Sequence, residues 1–560
     1  MSAQAAPVSQ VGVFVGAAPA RYRARGERTT GFWRAGDDDR GAPSEGRARP
    51  LRQVDETSAR SQDATRARAA SRASDPWLAA AIALAIVHAA AFATLAVQKH
   101  LTFHSNAYDL GLQHQVVWNT WHGRFFQYTY MVAFKPQMAS HLGDHVNLIL
   151  LPIAALYALH DGPATLLVLQ AAAVASGVVP LFAIARRLLG GGGAALVLAS
   201  LYLLHPATQA ALLFDFHPIV LAAPLFLWAY FFARTRRPLA LALSALALLA
   251  TQENSALVVA SLGVLLALQG QRRGGIALLA AGVGWFALCF FVILPHFNPG
   301  TGSNAFARYR DLGDTWWRVA LQLALHPGEL LSRALAPDGR SYLWSLLAPF
   351  GFLSLLAPEV LLCAASELAL NLLSNFPLQR TIDYQYASVI IAVLALAAVV
   401  GAARAARLAG AFLQVPRSLA RGVPAALGLF AMLAFQAARY GSLRALGPEY
   451  AGAFTMTEHA RLGRHVLAQI PLDAPVSAQG PIAPHVSNRR TVYVFPTVRD
   501  AEYVVLDERA DLFPVHLQTL PGMTPEESYR EYVRRLLRDG EFTVVAQDDG
   551  WLLLRRARSE

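Results

Sequence analysis

Long apolar blocks are the feature of this sequence that most limits its possible folds. They recur as runs of roughly 15 to 25 residues, the length that a helix needs to cross a bilayer. The composition agrees with this pattern, since 55% of the 560 residues are hydrophobic and only 15% are charged, whereas soluble domains carry about 25% charged residues. The blocks predict a polytopic α-helical membrane protein with about 11 transmembrane helices.

Arginine dominates the charge of the chain. The net charge of +11 is almost all Arg, because Lys99 and Lys135 are the two lysines. The arginines gather in the short connections between apolar blocks, which indicates how the helices are oriented in the membrane. The sequence shows no basic groove with interleaved aromatic residues, so it does not predict a nucleic-acid partner. Cys289 and Cys363 both lie in apolar runs, which excludes a disulfide framework and a Cys-rich metal cluster.

Short Arg-containing segments that end apolar blocks, here called basic stops, predict the topology. They follow four of the blocks, at 186–187, 234–237, 271–273 and 404–407. If the apolar stretch 146–159 is not a full span, these stops and the Arg-rich N-terminal tail lie on the cytoplasmic side. The stretch rises only about 21 Å as a helix, short of the roughly 30 Å hydrocarbon core. We therefore interpret 146–159 as an interfacial or re-entrant helix, with the N-terminus cytoplasmic and the C-terminus extracytoplasmic.

Three regions follow from this topology. Residues 1–75 have no sustained apolar period and are predicted to be a disordered cytoplasmic tail. Residues 76–440 are predicted to form the transmembrane domain, with two of its spans flanking Pro358. This domain has a first external loop at 98–163 and a second at 295–341.

The last region, 450–560, differs in kind. Short alternating or apolar stretches predict strands at 474–479, 491–496, 501–507, 542–549 and 551–556. Amphipathic patterns predict helices at 457–470 and 525–540, the second ended by Gly540. These elements predict a small extracytoplasmic α/β domain. It contains no Gly-rich phosphate loop and no nucleophile elbow.

Polar side chains gather on the predicted external side. Asp109, in the stretch NAYDLG, follows the first span. Such a carboxylate can act as a general base or hold a metal and a diphosphate, but it can equally be a solvated acid that caps the next helix. The stretch SHLGDHVN places His141 and His145 four residues apart with Asp144 beside them, as on one helix face. It resembles the H-x-x-E-H zinc-protease motif with Asp for Glu and no evident third ligand, so a cluster near a substrate site, with Asp144 as a second acid, is favoured.

Two predicted hairpin tips add further candidates. Asp215 and His217 lie in FDFHP and are predicted to line a cavity, although Asp and Pro are also ordinary turn signals. Gln252 and Glu253 interrupt a long apolar run in TQEN. Polar groups near membrane depth are costly and usually face a cavity or a partner, so these two are predicted to line a cavity.

Arginines on the external side are candidate phosphate ligands. Arg308 and Arg310 lie in the second loop, and Arg380 lies in a later turn that also carries Tyr384 and Tyr386. Arg binds phosphate through two parallel hydrogen bonds, and external arginines run against the usual cytoplasmic bias. Contact with lipid head groups is the alternative. The two tyrosines are predicted to line the cavity.

Several motifs, taken in order, resemble a known family. They include YDLGLQHQVVWNTWHGRFF, HVNLILLPIAALYAL, LFDFHPIVLAAPLFLWAYF, TQENSALVVASLGVLLAL and VSAQGPIAPHVSNRRTVYVFP. As an ordered set over roughly 80–555 they resemble bacterial predicted membrane proteins of the domain of unknown function 2079 family. That family resembles a branch of the GT-C glycosyltransferases.

The resemblance implies a GT-C-like fold and chemistry. It implies a bacterial inner membrane protein, a polyprenyl-phosphate sugar donor, an unidentified acceptor and a catalytic acid early in the first external loop, a position that Asp109 occupies. Many GT-C members pair that acid with another, whereas Leu110 and Gly111 follow here, which leaves a divalent metal (Mg²⁺ or Mn²⁺) open. A transporter or flippase for a lipid-linked or small-molecule substrate, and a non-enzymatic membrane scaffold, are the alternatives.

Overall fold

The computed structural model describes residues 75–131, 140–298, 307–412, 414–509 and 522–557. The tail predicted for 1–75 lies outside these residues up to position 74.

The helices of the membrane region are numbered in chain order. They are α1 Pro76–Leu101, α2 Leu112–Trp121, α3 Leu150–Ala154, α4 Pro163–Ser176, α5 Val178–Leu189, α6 Gly192–Leu204, α7 Pro206–Phe214, α8 Ala222–Arg234, α9 Pro238–Leu249, α10 Ser255–Leu268, α11 Arg272–Leu288, α12 Leu294–Phe297, α13 Trp316–Leu325, α14 Gly328–Leu335, α15 Pro337–Leu347, α16 Pro358–Leu361, α17 Ala365–Leu373, α18 Ser388–Phe412 and α19 Arg417–Tyr440. The C-terminal region adds α20 Glu458–Leu467, α21 Pro525–Arg538 and the strands β1 Val476–Ala478, β2 Val492–Val494, β3 Tyr503–Asp507, β4 Phe542–Asp548 and β5 Trp551–Arg556.

Five helical segments of the described chain are long and apolar enough to cross a membrane. They are Pro76–Leu101, Pro163–Leu189, Arg272–Phe297, Gln385–Phe412 and Arg417–Tyr450. A sixth is counted if α6 and α7, which meet at a 44° bend before Pro206, form one span. The hairpins predicted around 214–218 and 251–254 are present, but their remaining helices are shorter than a full span. The count of about eleven spans is therefore not confirmed.

The two spans predicted to flank Pro358 are instead a series of short helices. Pro349 and Pro358 lack the backbone N–H that continues a helix, and Gly351 between them has a left-handed φ of 58°. The longest helix here, α15, has 11 residues and rises about 16 Å, well short of the roughly 30 Å core. A window of hydropathy does not register such breaks.

The stretch 146–159 is also short, as predicted. Its helical part is α3 followed by a 3-10 turn over Ala155–Ala158. In contrast, α18 is apolar on all sides between Ser388 and Ala403, where nearly every side chain is buried among the other helices. A helix that is apolar all round is stable only when it is surrounded. It therefore forms the centre of the bundle.

The hairpin of α10 and α11 is held by glycines. A Cβ atom built on Gly263 would lie 2.5 Å from the Leu279 backbone nitrogen. One built on Gly282 would lie 2.5 Å from the Ala256 carbonyl oxygen. Small residues let two helix backbones approach this closely, which is how helices in membranes gain packing energy.

We expect Gly282→Ala to lower the free energy of unfolding by about 1–3 kcal/mol, because the new methyl group must push the α10 backbone away. Gly284→Ala is the matched control on the same helix, since nothing lies within 4 Å of its Cβ position. Unfolding followed by fluorescence in detergent measures both. Equal destabilisation by the two substitutions would contradict the close packing.

The C-terminal strands form one mixed sheet in the order β2-β1-β3-β5-β4. β1 is parallel to β2 and β3, and β5 is antiparallel to β3 and β4. All five strands lie where their sequence patterns predict them. Side chains alternate between two faces, so Val504 and Leu552 pack under α21, whereas Val505 and Leu553 pack with the first loop.

His459, in α20, is clamped between two acids of this region. Its Nε2 lies 2.9 Å from Asp507 Oδ2 and its Nδ1 lies 2.9 Å from Asp549 Oδ2. Both ring nitrogens must therefore donate, which requires the protonated ring. Partial burial opposes the charge, but the two carboxylates outweigh it and raise the pKa of His459.

A raised pKa stabilises the fold fully below the unfolded value of 6.5, and this contribution is lost as the pH rises through the folded pKa. We expect His459→Gln to cost about 2 kcal/mol at pH 6 and less at high pH. His465→Gln is the control, because His465 is exposed and bonds only its own helix. Unfolding free energies across the pH range test this, and a cost that grows with pH would contradict it.

Candidate active site

Asp109 lies in a single π-helical turn, Ala107–Gly111, between α1 and α2. Asn106 caps the turn, because its side-chain Oδ1 accepts a hydrogen bond from the Tyr108 backbone N–H at 2.8 Å. Isolated π turns are often found at functional sites. The Asp109 side chain is 22% exposed, so a substrate can reach it.

His217 binds the Asp109 carboxylate directly. The distance from His217 Nε2 to Asp109 Oδ1 is 2.9 Å. A carboxylate can only accept, so Nε2 carries the shared proton. The other ring nitrogen, Nδ1, is buried and makes no hydrogen bond. The pair thus has the composition of a proton-accepting carboxylate–imidazole dyad, assembled from positions 108 residues apart.

The backbone of His217 is fixed by a glutamine from α4. Gln170 accepts a hydrogen bond from the His217 N–H at 2.9 Å and donates one to the Asp215 carbonyl at 2.8 Å. The imidazole also stacks on Phe214, with the ring centres 5.4 Å apart and the planes 8° apart. These contacts orient the ring toward Asp109.

Asp215, predicted to line a cavity, is buried and braces the Asp109 turn. Its Oδ2 accepts from the Asn106 N–H at 2.8 Å, and its Oδ1 lies 3.4 Å from Lys99 Nζ. Burial raises the pKa of Asp215 to about 6, although Lys99 favours its ionised form. Lys99, at the end of α1, therefore compensates a carboxylate that would otherwise be costly to bury.

A second cluster joins the first loop to the turn before α10. His145 Nδ1 lies 2.9 Å from Glu253 Oε1, and Glu253 Oε2 accepts from the Val146 N–H at 3.0 Å. Burial opposes both charges, but their attraction raises the pKa of His145 to about 9 and lowers that of Glu253. His145 and Glu253 therefore form an ion pair at neutral pH. Gln252 lies at the edge of this pair, with its side-chain nitrogen 3.3 Å from His145 Nδ1.

The H-x-x-D-H stretch forms a 3-10 turn, His141–Gly143, rather than part of a longer α-helix. The His145 N–H donates to the His141 carbonyl at 3.0 Å, and the two imidazoles meet edge-on with their centres 6.3 Å apart. His141 Nε2 bonds Asn147 Oδ1 at 2.7 Å, whereas His145 binds Glu253. Asp144 follows the turn and is partly buried.

Metal ligation does not fit these side chains. Throughout the described ranges, no three His, Cys, Asp or Glu side chains converge as a metal site. One oxygen of Asp109 is already bound by His217.

The predicted phosphate-binding arginines have different surroundings. Arg308 lies over Tyr386 and Phe376, 5.4 and 4.8 Å from the ring centres, and donates a hydrogen bond to Gln379 Oε1 at 3.1 Å. Arg310, in the same turn, is exposed. Arg380 is engaged within the protein, since it pairs with Asp338 at 2.7 Å and donates to the Ser374 carbonyl at 2.6 Å.

An aromatic strip runs from the Asp109–His217 dyad to Arg308. Phe214, beside His217, meets Tyr384 edge-on at 4.8 Å, and Tyr384 lies 6.4 Å from Tyr386. Tyr386 in turn lies under Arg308. Both predicted tyrosines therefore belong to this strip.

Two residues of this site, Gln170 and Lys99, were not predicted from the sequence, although their positions in it are unusual. Gln170 interrupts the apolar run of α4, the same signal that drew attention to Gln252 and Glu253. Lys99 is one of two lysines and ends the first span. Phe214 carried no comparable signal, because one more aromatic residue in an apolar helix predicts only packing.

Comparison with known proteins places the chain in a family. No curated protein matches. The crystal structure of ArnT from Cupriavidus metallidurans in the apo state is similar with a TM-score of 0.42 and 14% sequence identity, covering 86% of this chain and 97% of that one. The DUF2079 family, described as predicted membrane proteins, matches residues 99–553. Since this match takes in both polar clusters and nearly all of the C-terminal sheet, the chain belongs to the DUF2079 family of predicted membrane proteins.

Proposed function

We propose that the protein is a GT-C-like integral membrane glycosyltransferase, which moves a sugar from a polyprenyl-phosphate donor to an extracytoplasmic acceptor. The contact that carries this proposal is the 2.9 Å bond between His217 Nε2 and the partly exposed Asp109 carboxylate. A carboxylate held in position by an imidazole is suited to act as a base that removes a proton from a hydroxyl group.

In the proposed reaction, the free Oδ2 of Asp109 accepts a hydrogen bond from the acceptor hydroxyl. The hydroxyl oxygen attacks the anomeric carbon of the donor sugar and forms the new C–O bond. The bond from that carbon to the lipid phosphate breaks, and the phosphate leaves with the electron pair. The acceptor proton passes to the Asp109–His217 dyad.

The other end of the aromatic strip suits the leaving phosphate. Arg308, with the exposed Arg310 in the same turn, would bind phosphate oxygens. The faces of Phe214 and Tyr384 supply apolar surface for a sugar ring. Arg380 would instead maintain the loop, because Asp338 and a backbone carbonyl already hold it.

The proposal includes a membrane arrangement. The transmembrane domain would occupy 76–440 of a bacterial inner membrane protein, with the loops 98–163 and 295–341 on the outer side. The N-terminus would be cytoplasmic, and the C-terminal domain, 450–560, would be extracytoplasmic. Charged turns on one side of the helices and the Arg stops on the other support this orientation.

A transporter or flippase of a lipid-linked substrate is the second candidate, because the 44° break between α6 and α7 resembles the discontinuous helices of transporters. Purified protein in nanodiscs, given labelled polyprenyl-phosphate sugars and a cell-envelope extract, separates these functions. Transfer with release of polyprenyl phosphate supports the glycosyltransferase. Movement of intact lipid-linked sugar across a liposome membrane without release supports the flippase, and neither activity supports a scaffold. The lipid-linked sugars of a deletion strain would then indicate which donor accumulates.

A further inference from the structure

The C-terminal sheet packs on the segment that carries Asp109. The turn Ala483–Val486 lies against the Asp109 turn. Tyr130 joins them, since its hydroxyl donates to the Ala483 carbonyl at 3.0 Å. The same hydroxyl fills the space beside Gly111, where an added Cβ atom would lie 2.6 Å from the Tyr130 oxygen. Thr129 pairs with the edge of β2, accepting from the Val492 N–H at 2.9 Å and donating to its carbonyl at 2.7 Å. The sheet thus forms a wall behind the acid.

Three imidazoles lie in this contact. His485, in the sheet region, stacks between His100 of α1 and Phe103, with ring centres 4.1 Å apart on each side. His114 of α2 lies 3.0 Å from Ser487 Oγ. His100 and His114 are buried, and His485 is partly buried.

The hydrogen bonds of His114 require its neutral form. Ser487 Oγ uses its proton on the Pro484 carbonyl at 2.8 Å, so it accepts from His114 Nδ1. His114 Nε2 is therefore the unprotonated nitrogen, and it is buried with no hydrogen-bond partner. His485 Nε2 is likewise buried and unpaired. A proton added at His114 Nε2 would be a buried donor, and a buried charge, without an acceptor. At His485 the backbone of His100 favours the protonated ring, but burial outweighs it.

The groups that face these rings do not offset a charge. Lys99 from α1 and Arg464 from α20 face the stacked pair, and both are cations. From the 155–165 turn, His160 and Tyr157 face His114, and Asp161 lies beyond Tyr157 with its carboxylate bound to Trp118. Burial is the main cause that lowers the pKa of His114 to about 3 and holds that of His485 well below its usual range.

We propose that His114 and His485, with His100 stacked beside them, form an acid-sensitive latch whose protonation releases the C-terminal sheet from the Asp109 turn. The latch is a property of the fold and does not depend on the proposed sugar transfer. A group with a lowered folded pKa favours the closed contact above pH 6.5 and opposes it increasingly as the pH falls below that value. Acidification would therefore loosen the contact between the sheet and the Asp109 turn.

Amide hydrogen exchange of the full chain in nanodiscs tests the latch. Protection of the segments 107–130 and 483–494 is compared at pH 7.5 and pH 4.5, after correction for intrinsic exchange. Protonation of His114 in the open state is expected by itself to lower protection about 100-fold at pH 4.5, because its pKa is about 3 in the closed state and 6.5 in the open state. Unchanged wild-type protection would overturn the proposal, and so would an equal loss in α18, because the whole chain would then be unfolding.

Matched variants assign the effect to these rings. His485→Phe keeps the stack and His114→Asn keeps a donor for Ser487, and neither replacement can be protonated, so the double variant is expected to keep its protection at pH 4.5. His122→Gln is the control, since His122 is exposed at the end of α2 and bonds only the Trp118 carbonyl, and it should lose protection as the wild type does. If the double variant does not fold, each single variant should retain part of the protection. A full loss in every variant would contradict the latch.

Discussion

Replacing Asp109 with Asn is expected to lower the rate of sugar transfer roughly 100- to 10,000-fold, the contribution usual for a positioned general base. The amide is nearly isosteric and can still contact His217, but it cannot take the proton of the acceptor hydroxyl. The loss should fall on kcat, because donor binding involves the distant arginines. Transfer from a labelled polyprenyl-phosphate sugar measures it.

Two variants sharpen this test. Asp161→Asn, in the same loop, removes an exposed carboxylate that bonds Trp118 and should leave transfer near the wild-type rate. His217→Gln should reduce transfer less than Asp109→Asn, since the carboxylate remains but loses its oriented partner. Sugar transfer that survives Asp109→Asn unchanged would rule out the role proposed for this acid.

The second large effect is expected from Glu253→Gln, which should lower the free energy of unfolding by about 3 kcal/mol at pH 6. Glu253 is 4% exposed and binds His145, so its neutral replacement leaves a charged imidazole without its carboxylate. The pKa of His145, about 9 in the folded protein against 6.5 in the unfolded chain, makes the effect depend on pH. The contribution of the charged His145 to folding stability is complete below pH 6.5 and is lost as the pH rises through about 9.

The stability difference between wild type and Glu253→Gln should therefore narrow between pH 6.5 and 9. His145→Gln added to Glu253→Gln should cost little more, since both substitutions break one interaction. Glu458→Gln, which removes an exposed pair with Arg461, should change stability by less than about 1 kcal/mol. A constant difference across this pH range would show that the pair does not supply the stability assigned to it.

Local patterns were enough for many of the elements. Alternating apolar residues located all five strands of the C-terminal sheet, and the length of 146–159 was enough to predict a helix too short to span. The end of α1 and the position of Asp109 just beyond it followed from the first apolar block. These properties depend on residues that are neighbours in sequence, so a short window contains the information.

Hydropathy alone did not determine the number of spans. The region around Pro358 is apolar enough for two spans, but Pro349, Gly351 and Pro358 interrupt its helices. Backbone hydrogen bonding and φ angles decide where a helix stops, and average hydropathy does not include them.

The amino-acid sequence by itself determined the membrane character, the five strands, the short helix and a set of polar candidates that includes Asp109, His217 and Glu253. Only the tertiary structure decided how they pair: His217 with Asp109, Asp215 with Lys99, and His145 with Glu253. Each of these contacts joins residues more than 100 positions apart. Their distance is set by the packing of whole helices around α18, and no local pattern of side chains encodes that packing.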